Sequence, residues 1–322
     1  MEYGDKHILV LGAGASGIGA SWVLAQVGAH VVLNDYKPVT LPATEEGRLV
    51  SAGVEIVTGR QDESLLDGVD RIVISPGISL DIPIVKAAQA RGIDVVSEVE
   101  LAYEVSKSPI VAVTGTNGKT TTTTLLTKVL EGSGKPVRVG GNIGDSLSEV
   151  AYSMPVGGFL VAELSSYQLE TIKHFRPIGA IMLNITPDHL ARHKTMENYI
   201  AAKERIFENQ LKSDYLVLNI DDSIVADMEH RAPSHILQIS QKQTVENGAY
   251  YANGQCYVVK NGVATAVIGD EDIHIPGRHN IENILTVIAL SYALGVPVET
   301  IHRIISEFHG VEHRLERVKT IG

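Results

Sequence analysis

Short runs of apolar residues alternate with longer segments of helical periodicity from the beginning of the chain. Such runs predict buried strands, whereas apolar residues spaced three and four apart predict amphipathic helices. The first part of the chain is therefore predicted to contain strands at 8–11, 31–33, 54–57, 71–74 and 95–96 and helices at 20–27 and 82–91. This alternation is typical of a parallel sheet covered by helices, and the first α/β unit is predicted to end near Ser106.

The same alternation restarts at residue 110. Strands are predicted at 110–113, 158–162, 180–183 and 215–218, and helices at 121–130, 196–209 and 280–294. Between residues 249 and 275 the pattern changes, because Asn253-Gly254 and Asn261-Gly262 separate β-rich runs. An Asn-Gly pair between such runs is the sequence signal of a tight hairpin. We therefore predict an antiparallel β patch added to a second α/β unit, whereas residues 306–322 contain no complete unit of their own.

The composition excludes several classes of protein. A length of 322 residues favours two domains at roughly 150 residues each, and 44% hydrophobic with 20% charged residues excludes a disordered chain. A net charge of −11 disfavours nucleic acid and anionic membranes as partners. A single cysteine, Cys256, cannot form an intrachain disulfide, and no apolar run reaches the ~18 residues of a membrane span. We expect a cytoplasmic protein, with a monomer favoured.

A glycine-rich turn, Gly12-Ala-Gly-Ala-Ser-Gly17, follows the first predicted strand and precedes the first predicted helix. Glycine permits a tight turn and close backbone approach, and a helix N-terminus offers free N–H groups to a phosphate. Asp35 ends the second strand, where an acidic residue can hold ribose hydroxyls. The pattern predicts a nucleotide diphosphate site, without separating a dinucleotide from a nucleotide-sugar. The alternative is a turn that serves only helix–sheet packing.

A second phosphate-binding pattern, Gly115-Thr-Asn-Gly-Lys-Thr120, follows the predicted strand at 110–113. It departs from the general phosphate loop, since Val113 stands where that pattern has its first glycine. The chemistry is retained: backbone N–H groups can surround phosphate, Lys119 can reach the β- and γ-phosphates, and the Thr120 hydroxyl can bind Mg²⁺. A helix cap formed by Thr116 or Asn117 is the alternative, and it leaves Lys119 without a role.

Six segments resemble the Mur ligase superfamily and occur in the family's order, at residues 113–121, 140–144, 163–170, 183–189, 199–203 and 277–283. Asn117 and the segment containing Gln168 favour the branch that adds D-glutamate. The resemblance implies an ATP-dependent ligase that joins D-glutamate to UDP-N-acetylmuramoyl-L-alanine through an acyl phosphate, in cytoplasmic peptidoglycan precursor synthesis. It implies small-molecule substrates, with ATP and two Mg²⁺ ions as cofactors.

The resemblance also implies roles for individual residues. Lys119, Glu163, His189 and Lys203 are implied to be catalytic, and the last three are implied metal ligands together with Thr120. Lys203 is implied to be carbamylated by CO₂, which would give it oxygen atoms that suit Mg²⁺; its periodicity alone predicts a solvated helix face. The implied ATP-binding residues are Gly115, Thr116, Asn117, Gly118, Lys119, Thr120, Thr121, Asn280, Asn283 and Arg314. An N-cap role is the alternative for Asn280.

A further set of residues is implied to bind the UDP-linked substrate. Ala15 and Ser16 match positions at the diphosphate, and residues 35–37 match the uracil end. Ser165 and Gln168 match positions near the muramoyl group. The implied set is Ala15, Ser16, Asp35, Tyr36, Lys37, Ser75, Gly77, Asn142, Ser165, Gln168 and His189.

Together, pattern and resemblance predict a Rossmann-like UDP-substrate-binding domain at 1–105 and a P-loop-type central ATP-binding domain, carrying the antiparallel β patch, at 106–310. Residues 311–322 are predicted to begin a linker to a further C-terminal domain, which in this family binds the incoming amino acid. We therefore expect the chain alone to be inactive as a ligase. Two alternatives remain: an NAD-dependent oxidoreductase, based on the Gly12–Asp35 region only, and a nucleotide-binding module without ligation chemistry.

Overall fold

The computed structural model describes residues 3–311 of the chain, so the predicted ATP contact Arg314 and nearly all of the predicted linker lie outside the described residues. The strands are β1 His7–Leu11, β2 His30–Asp35, β3 Glu55–Thr58, β4 Arg71–Ile74, β5 Asp94–Ser97, β6 Ile110–Thr114, β7 Val137–Gly141, β8 Phe159–Glu163, β9 Gly179–Met182, β10 Tyr215–Asn219, β11 His235–Ser240, β12 Gly248–Ala252, β13 Gln255–Lys260 and β14 Val263–Gly269.

The helices cover the sheets formed by these strands. They are α1 Ala15–Gln26, α2 Ala43–Ser51, α3 Pro83–Ala90, α4 Glu98–Val105, α5 Lys119–Glu131, α6 Leu147–Ser153, α7 Ser166–Leu169, α8 Leu190–His193, α9 Met196–Glu204, α10 Ser223–Asp227, α11 Arg278–Ala293 and α12 Val298–Ser306. Among the described residues, no helix is both long enough and apolar enough to cross a membrane.

The first sheet has five parallel strands in the order β3-β2-β1-β4-β5. Side chains of β1 alternate between two hydrophobic clusters, with Ile8 and Val10 on one face and Leu9 and Leu11 on the other. Burial on both faces explains why this strand reads as one continuous apolar run. The strand order reverses between β1 and β4, and ligands of such sheets bind at the carboxyl ends of the strands at this position.

The first compact unit is discontinuous in sequence: it combines the residues up to Ser108 with residues 140–156 and 166–175. Helix α4 attaches these pieces through buried carboxylates. Glu98 accepts the backbone N–H of Ser148 at 2.9 Å, and Glu100 accepts those of residues 173–175 at 2.7–3.1 Å. Glu104, further along the helix, pairs with the buried guanidinium of Arg71 at 2.9 Å. A single helix therefore contacts each part of the unit.

The second compact unit contains residues 109–139, 157–165 and 176 onwards. Its sheet has nine strands in the order β14-β13-β12-β11-β10-β9-β6-β8-β7. Neighbours from β8 through β12 pair in parallel, whereas β12, β13 and β14 pair antiparallel. This confirms the predicted fold class of a parallel α/β sheet with an added antiparallel patch. Its core packs the sheet against α5, α11 and α12.

The two predicted hairpin turns are confirmed. Asn253 and Gly254 have φ values of 52° and 79°, and Asn261 and Gly262 have φ values of 51° and 75°. Two successive left-handed residues give the type I′ turn that matches the twist of paired strands, and asparagine followed by glycine adopts it most easily.

Some predicted elements differ from the structure. The helix predicted at 196–209 ends at Glu204 and continues as a 3₁₀ turn at Arg205–Phe207. The elements that were not predicted are strands β7 and β11 and helices α2, α4, α6, α7, α8, α10 and α12. Helix α1 begins at Ala15, five residues before the predicted start, because the glycine-rich turn leads directly into it.

Candidate active site

The phosphate loop connects β6 to α5, and its glycines have backbone conformations that other residues rarely adopt. Gly115 has φ 144° and Gly118 has φ 88°. A Cβ atom at Gly118 would lie 2.5 Å from Oδ1 of Asn283, so the loop also requires glycine for space. Gly118 is the N-cap of α5, and no side chain caps this helix. The cap roles considered for Thr116 and Asn117 are therefore wrong.

Lys119 lies over the loop that precedes it. Its Nζ atom donates to the carbonyl oxygens of Gly115 at 3.1 Å and Thr116 at 2.9 Å. The ammonium group thus lies above the backbone that would surround a phosphate. Asn184 fixes the same loop, since its side chain accepts the N–H of Asn117 at 2.9 Å and donates to the carbonyl of Asn117 at 3.0 Å.

Lys203 is 2% exposed, so the solvated position that its periodicity alone predicted is wrong. Its Nζ donates to the Gly115 carbonyl at 2.7 Å and to Thr114 Oγ1 at 3.3 Å. Burial, reinforced by the nearby Lys119 ammonium, lowers the pKa of Lys203 to about 7. The sequence-predicted residues Lys119 and Lys203 therefore share the Gly115 carbonyl, and a buried lysine with a neutral fraction lies directly beside the phosphate loop.

Tyr199 lies one helical turn before Lys203 and connects several of the predicted residues. Its hydroxyl is 3.0 Å from Thr116 Oγ1, and its ring centre is 5.0 Å from the Nζ of Lys203. The ring of His189 lies 6.4 Å from the ring of Tyr199, edge-on. His189 has a positive φ of 54°, and Asp188 accepts its backbone N–H at 2.8 Å. His189 is therefore close to the loop through Tyr199, with its side chain about half exposed.

Glu163 is the last residue of β8 and is 1% exposed. It is in register with Val113 of β6, immediately before the phosphate loop. Among residues 3–311, no three His, Cys, Asp or Glu side chains converge to hold a metal ion by themselves. The Glu163 carboxylate and the Thr120 hydroxyl are nevertheless oxygen donors of the kind that Mg²⁺ prefers, with phosphate oxygens completing its shell. The donor set fits a magnesium–nucleotide complex.

A cleft of about 280 Å³ adjoins the loop, lined by Gly118, Thr121, Ile275, Pro276, His279, Asn280, Asn283, His309, Gly310 and Val311. Gly277 is the N-cap of α11, so the N-cap role considered for Asn280 is wrong. Asn280 instead donates from its side chain to the Pro276 carbonyl at 2.7 Å and accepts from Asn283 at 3.1 Å. These two predicted adenine contacts are held as a pair on the wall of the cleft.

The three glycines of the glycine-rich turn in the first unit differ in what surrounds them. A Cβ atom at Gly12 would lie 2.7 Å from Ser75 Oγ, and one at Gly17 would lie 1.8 Å from the Gly12 carbonyl oxygen. Packing alone explains these two glycines. Gly14 has nothing within 4 Å of that position and has an ordinary extended backbone. It is the N-cap of α1, whose first turn has no side-chain cap and no acidic residue. Gly14 therefore leaves open space beside free N–H groups, as a phosphate requires.

Other predicted substrate residues surround this turn. Asp35 ends β2 and accepts the N–H groups of Ala13 and Lys37, each at 2.9 Å. Ser75 follows β4 and donates to the Gly12 carbonyl at 3.3 Å. Tyr36, Lys37 and Gly77 are exposed at this end of the sheet, and Asn142, on the 140–156 segment, is exposed as well. Asp35 and Ser75 thus hold the turn in place from its two sides.

The remaining predicted substrate residues differ in exposure. Gln168 is only 2% exposed, whereas Ser165 is half-buried. Their proximity to a muramoyl group stays a prediction.

Sequence reasoning missed three residues that organise the two sites. Asn184 and Tyr199 lie inside segments that carried the family resemblance, but no sequence signal indicated their contacts with the phosphate loop. Glu98 is a fully buried carboxylate near the glycine-rich turn, and no sequence motif singled it out.

Comparison with known proteins agrees with this geometry. The Mur ligase middle domain family matches residues 113–291, and the Mur ligase MurD-like N-terminal domain family matches residues 6–97. The UDP-N-acetylmuramoylalanine–D-glutamate ligase of Thermoanaerobacter pseudethanolicus is 44% identical over 322 residues, covering 100% of this chain and 71% of the relative. The ligase of the same name from Caldanaerobacter subterraneus subsp. tengcongensis is 45% identical, covering 100% and 70%.

A solved structure shares the fold. The UDP-N-acetylmuramate:L-alanyl-γ-D-glutamyl-meso-diaminopimelate ligase of Neisseria meningitides superposes with a TM-score of 0.64 at 23% identity, covering 96% of this chain and 99% of that one. The two family matches, together with relatives above 40% identity across the whole sequence, show that the chain belongs to the Mur ligase family of ATP-dependent ligases that form amide bonds.

Proposed function

We propose that this protein acts on UDP-N-acetylmuramoyl-L-alanine and D-glutamate, the pair named by its relatives, with ATP as the energy source. The observation that carries the proposal is the burial of Lys203 against the Gly115 carbonyl of the phosphate loop. A loop that only binds a nucleotide needs Lys119 alone. A second, buried lysine beside it is costly unless its chemistry is used, because burial disfavours the charged form.

In the proposed reaction, the alanine carboxylate attacks the γ-phosphorus of ATP and ADP leaves. The D-glutamate amine then attacks the acyl carbon of the resulting acyl phosphate, and inorganic phosphate and a proton leave. Lys119 and the first-turn N–H groups of α5 hold the transferring phosphoryl group, a step that depends on positioning and on cationic donors. When bound, Mg²⁺ neutralises charge that develops on the phosphate oxygens. Thr120 and Glu163 are the residues that would hold it.

We further infer that Lys203 carries a carbamate. Its neutral amine can add to the carbon of CO₂ and lose a proton, which converts a buried cation into an oxygen-bearing anion. That anion would remove the repulsion with Lys119 and add oxygen donors beside the loop, enough for a second Mg²⁺. The lowered pKa of Lys203, about 7, supports this step because only the neutral amine reacts.

The UDP moiety is proposed to bind at the first sheet, at the carboxyl ends of β1, β2 and β4. The diphosphate would bind the free N–H groups of Ala15 and Ser16, and the uracil would lie near Asp35. The open space beside Gly14 and the exposed Tyr36 and Lys37 support this placement.

The test uses phosphate release and trapping of the acyl phosphate. The chain is incubated with ATP, Mg²⁺, UDP-N-acetylmuramoyl-L-alanine and hydroxylamine, which converts an acyl phosphate into a hydroxamate. We expect phosphate release and a UDP-linked hydroxamate detectable by mass, and neither with UDP-N-acetylglucosamine, which has no carboxylate to activate. Tighter binding of NAD⁺ than of the UDP ligand, with no substrate-stimulated phosphate release, would contradict the proposal.

A further inference from the structure

Glu98 begins α4, and its carboxyl group is buried among the hydroxyl groups of three serines. Its Oε1 atom accepts the Ser148 N–H and the Ser148 hydroxyl, both at 2.9 Å, and it also accepts the Ser146 hydroxyl. Oε1 is therefore saturated. The side chain is 2% exposed.

The second oxygen of Glu98 differs from the first in its hydrogen bonding. Oε2 is fully buried and has no partner in hydrogen-bond geometry among the described residues. The hydroxyl of Ser16, in the first turn of α1, is a further polar group that acts on this carboxyl. Burial is the largest influence and raises the pKa of Glu98, against the opposing effect of the serines. The carboxyl group is thus poised to gain a proton on Oε2.

The charged groups on the surrounding helices are engaged elsewhere. Glu149 of α6 pairs with Arg48 of α2. Glu100, one helical turn along α4, is occupied by the amides of residues 173–175, and Glu104 by Arg71. Helix α1 contains no charged residue at all. A change in the protonation of Glu98 therefore acts first on the serines that surround it.

We propose that Glu98 is a positioning residue whose proton couples to diphosphate binding through Ser16. In the ionised state, the Ser16 hydroxyl donates to Oε2 of Glu98 and is turned away from the ligand. In the neutral state, the Oε2 hydroxyl donates to Ser16 Oγ, and the Ser16 hydroxyl is free to donate to a phosphate oxygen. Binding a diphosphate then takes up one proton from solvent at any pH where Glu98 is ionised in the free protein. This inference rests on the proposed UDP site.

Calorimetry on the unmodified chain tests the coupling directly. UDP-N-acetylmuramoyl-L-alanine is titrated in buffers of different ionisation enthalpy, because its diphosphate diester does not itself titrate near neutral pH. We expect an uptake of up to one proton over the pH range in which Glu98 is ionised in the free protein, with affinity falling by up to tenfold per pH unit as the pH rises through that range. No uptake at any pH, with measurable binding, would overturn the inference. No binding of the UDP ligand at any pH would overturn the proposed UDP site as well.

Three variants distinguish proton coupling through Glu98 from a purely structural role of this residue. Glu98→Gln is isosteric with the neutral acid: its carbonyl accepts as Oε1 does, and its amide donates to Ser16 as the protonated Oε2 would. We expect it to keep the low-pH affinity of the unmodified chain at every pH, with no uptake. Ser16→Ala should also lose the uptake, and with it the pH dependence, even if Glu98→Gln fails to fold. Glu100→Gln, an equally buried carboxyl on the same helix, should keep the uptake. Uptake that persists in Glu98→Gln or Ser16→Ala, or disappears in Glu100→Gln, would contradict the mechanism.

Discussion

The buried amine of Lys203 should react with CO₂ at neutral pH in metal-free protein. Its pKa is lowered from 10.5 to about 7, so about half of the Lys203 amines are neutral at pH 7. For a lysine of ordinary pKa the neutral fraction at that pH is about one in 3,000. The enrichment of the reactive form is therefore about 1,500-fold over an exposed lysine.

The measurement is ¹³C nuclear magnetic resonance of the protein equilibrated with ¹³C-bicarbonate and a metal chelator. We expect one slowly exchanging carbamate signal whose formation follows an apparent pKa near 7. Lys203→Arg should abolish the signal, because a guanidinium does not lose its proton. Lys119→Ala should move the apparent pKa upward, since the neighbouring ammonium is one cause of its depression. A signal that survives in Lys203→Arg, or a Lys203 amine that titrates near pH 10, would refute the reasoning.

The same pKa makes a prediction about stability. The amine loses its proton at lower pH in the folded state than in the unfolded state, so the unfolded state binds more protons between about pH 7 and pH 10. The contribution of Lys203 to the free energy of unfolding therefore rises with pH across that window. Below about pH 7 the lysine is charged in the folded state, and the full cost of burying that charge is present. Lys203→Met should flatten this rise in denaturant unfolding measured at a series of pH values without bicarbonate. An unchanged slope would contradict the depressed pKa.

Two further predictions concern the phosphate loop. Lys119→Ala should weaken ATP binding by about 1.5–3 kcal/mol, the usual contribution of a hydrogen bond to a charged group, while Lys128→Ala, an exposed lysine later on α5, should leave it unchanged in calorimetry. Equal affinities for the two variants would exclude a phosphate contact by Lys119. Gly118→Ala should reduce ATP affinity by more than Gly134→Ala does. Both glycines have a left-handed backbone, but only at Gly118 would the added Cβ atom lie 2.5 Å from Asn283. Intact ATP binding by Gly118→Ala would show that the loop tolerates the displacement of Asn283.

Local sequence signals identified much of the fold correctly. The two Asn-Gly turns and the strands of the first sheet followed from turn chemistry and from continuous apolar runs. Strand β7 was not predicted because it contains two glycines and an arginine, and β11 was not predicted because Gln238 interrupts its apolar run. These strands are stabilised by the neighbours that they pair with, and such pairing is not visible in a local window.

Some residues of the candidate site could likewise be predicted from the sequence, and others could not. The glycine-rich loops and Lys119 are contiguous in sequence, so their geometry could be predicted from the strand–loop–helix order. The burial of Lys203 could not, because it depends on the contact between α9 and the Gly115 carbonyl, 88 positions earlier in the chain. Helical periodicity reports which residues share a face, not which face another element covers. The resemblance alone indicated this lysine. Glu98, which accepts hydrogen bonds from Ser146 and Ser148 about 50 positions later in the chain, was not indicated at all.

The arrangement of acids on α4 has a consequence for the order of folding during synthesis. A nascent chain of 108 residues already contains every strand of the first sheet, yet it lacks Ser146 and Ser148, which donate to Glu98, and the amides that donate to Glu100. Two carboxylates destined for the interior would then lack these hydrogen-bond donors, and burying a carboxylate without donors is strongly unfavourable. Domains commonly fold in the order in which they leave the ribosome. Here we expect α4 to dock fully only after residue 175 has been translated, by which time β6, α5 and the phosphate loop of the second unit are already in the growing chain.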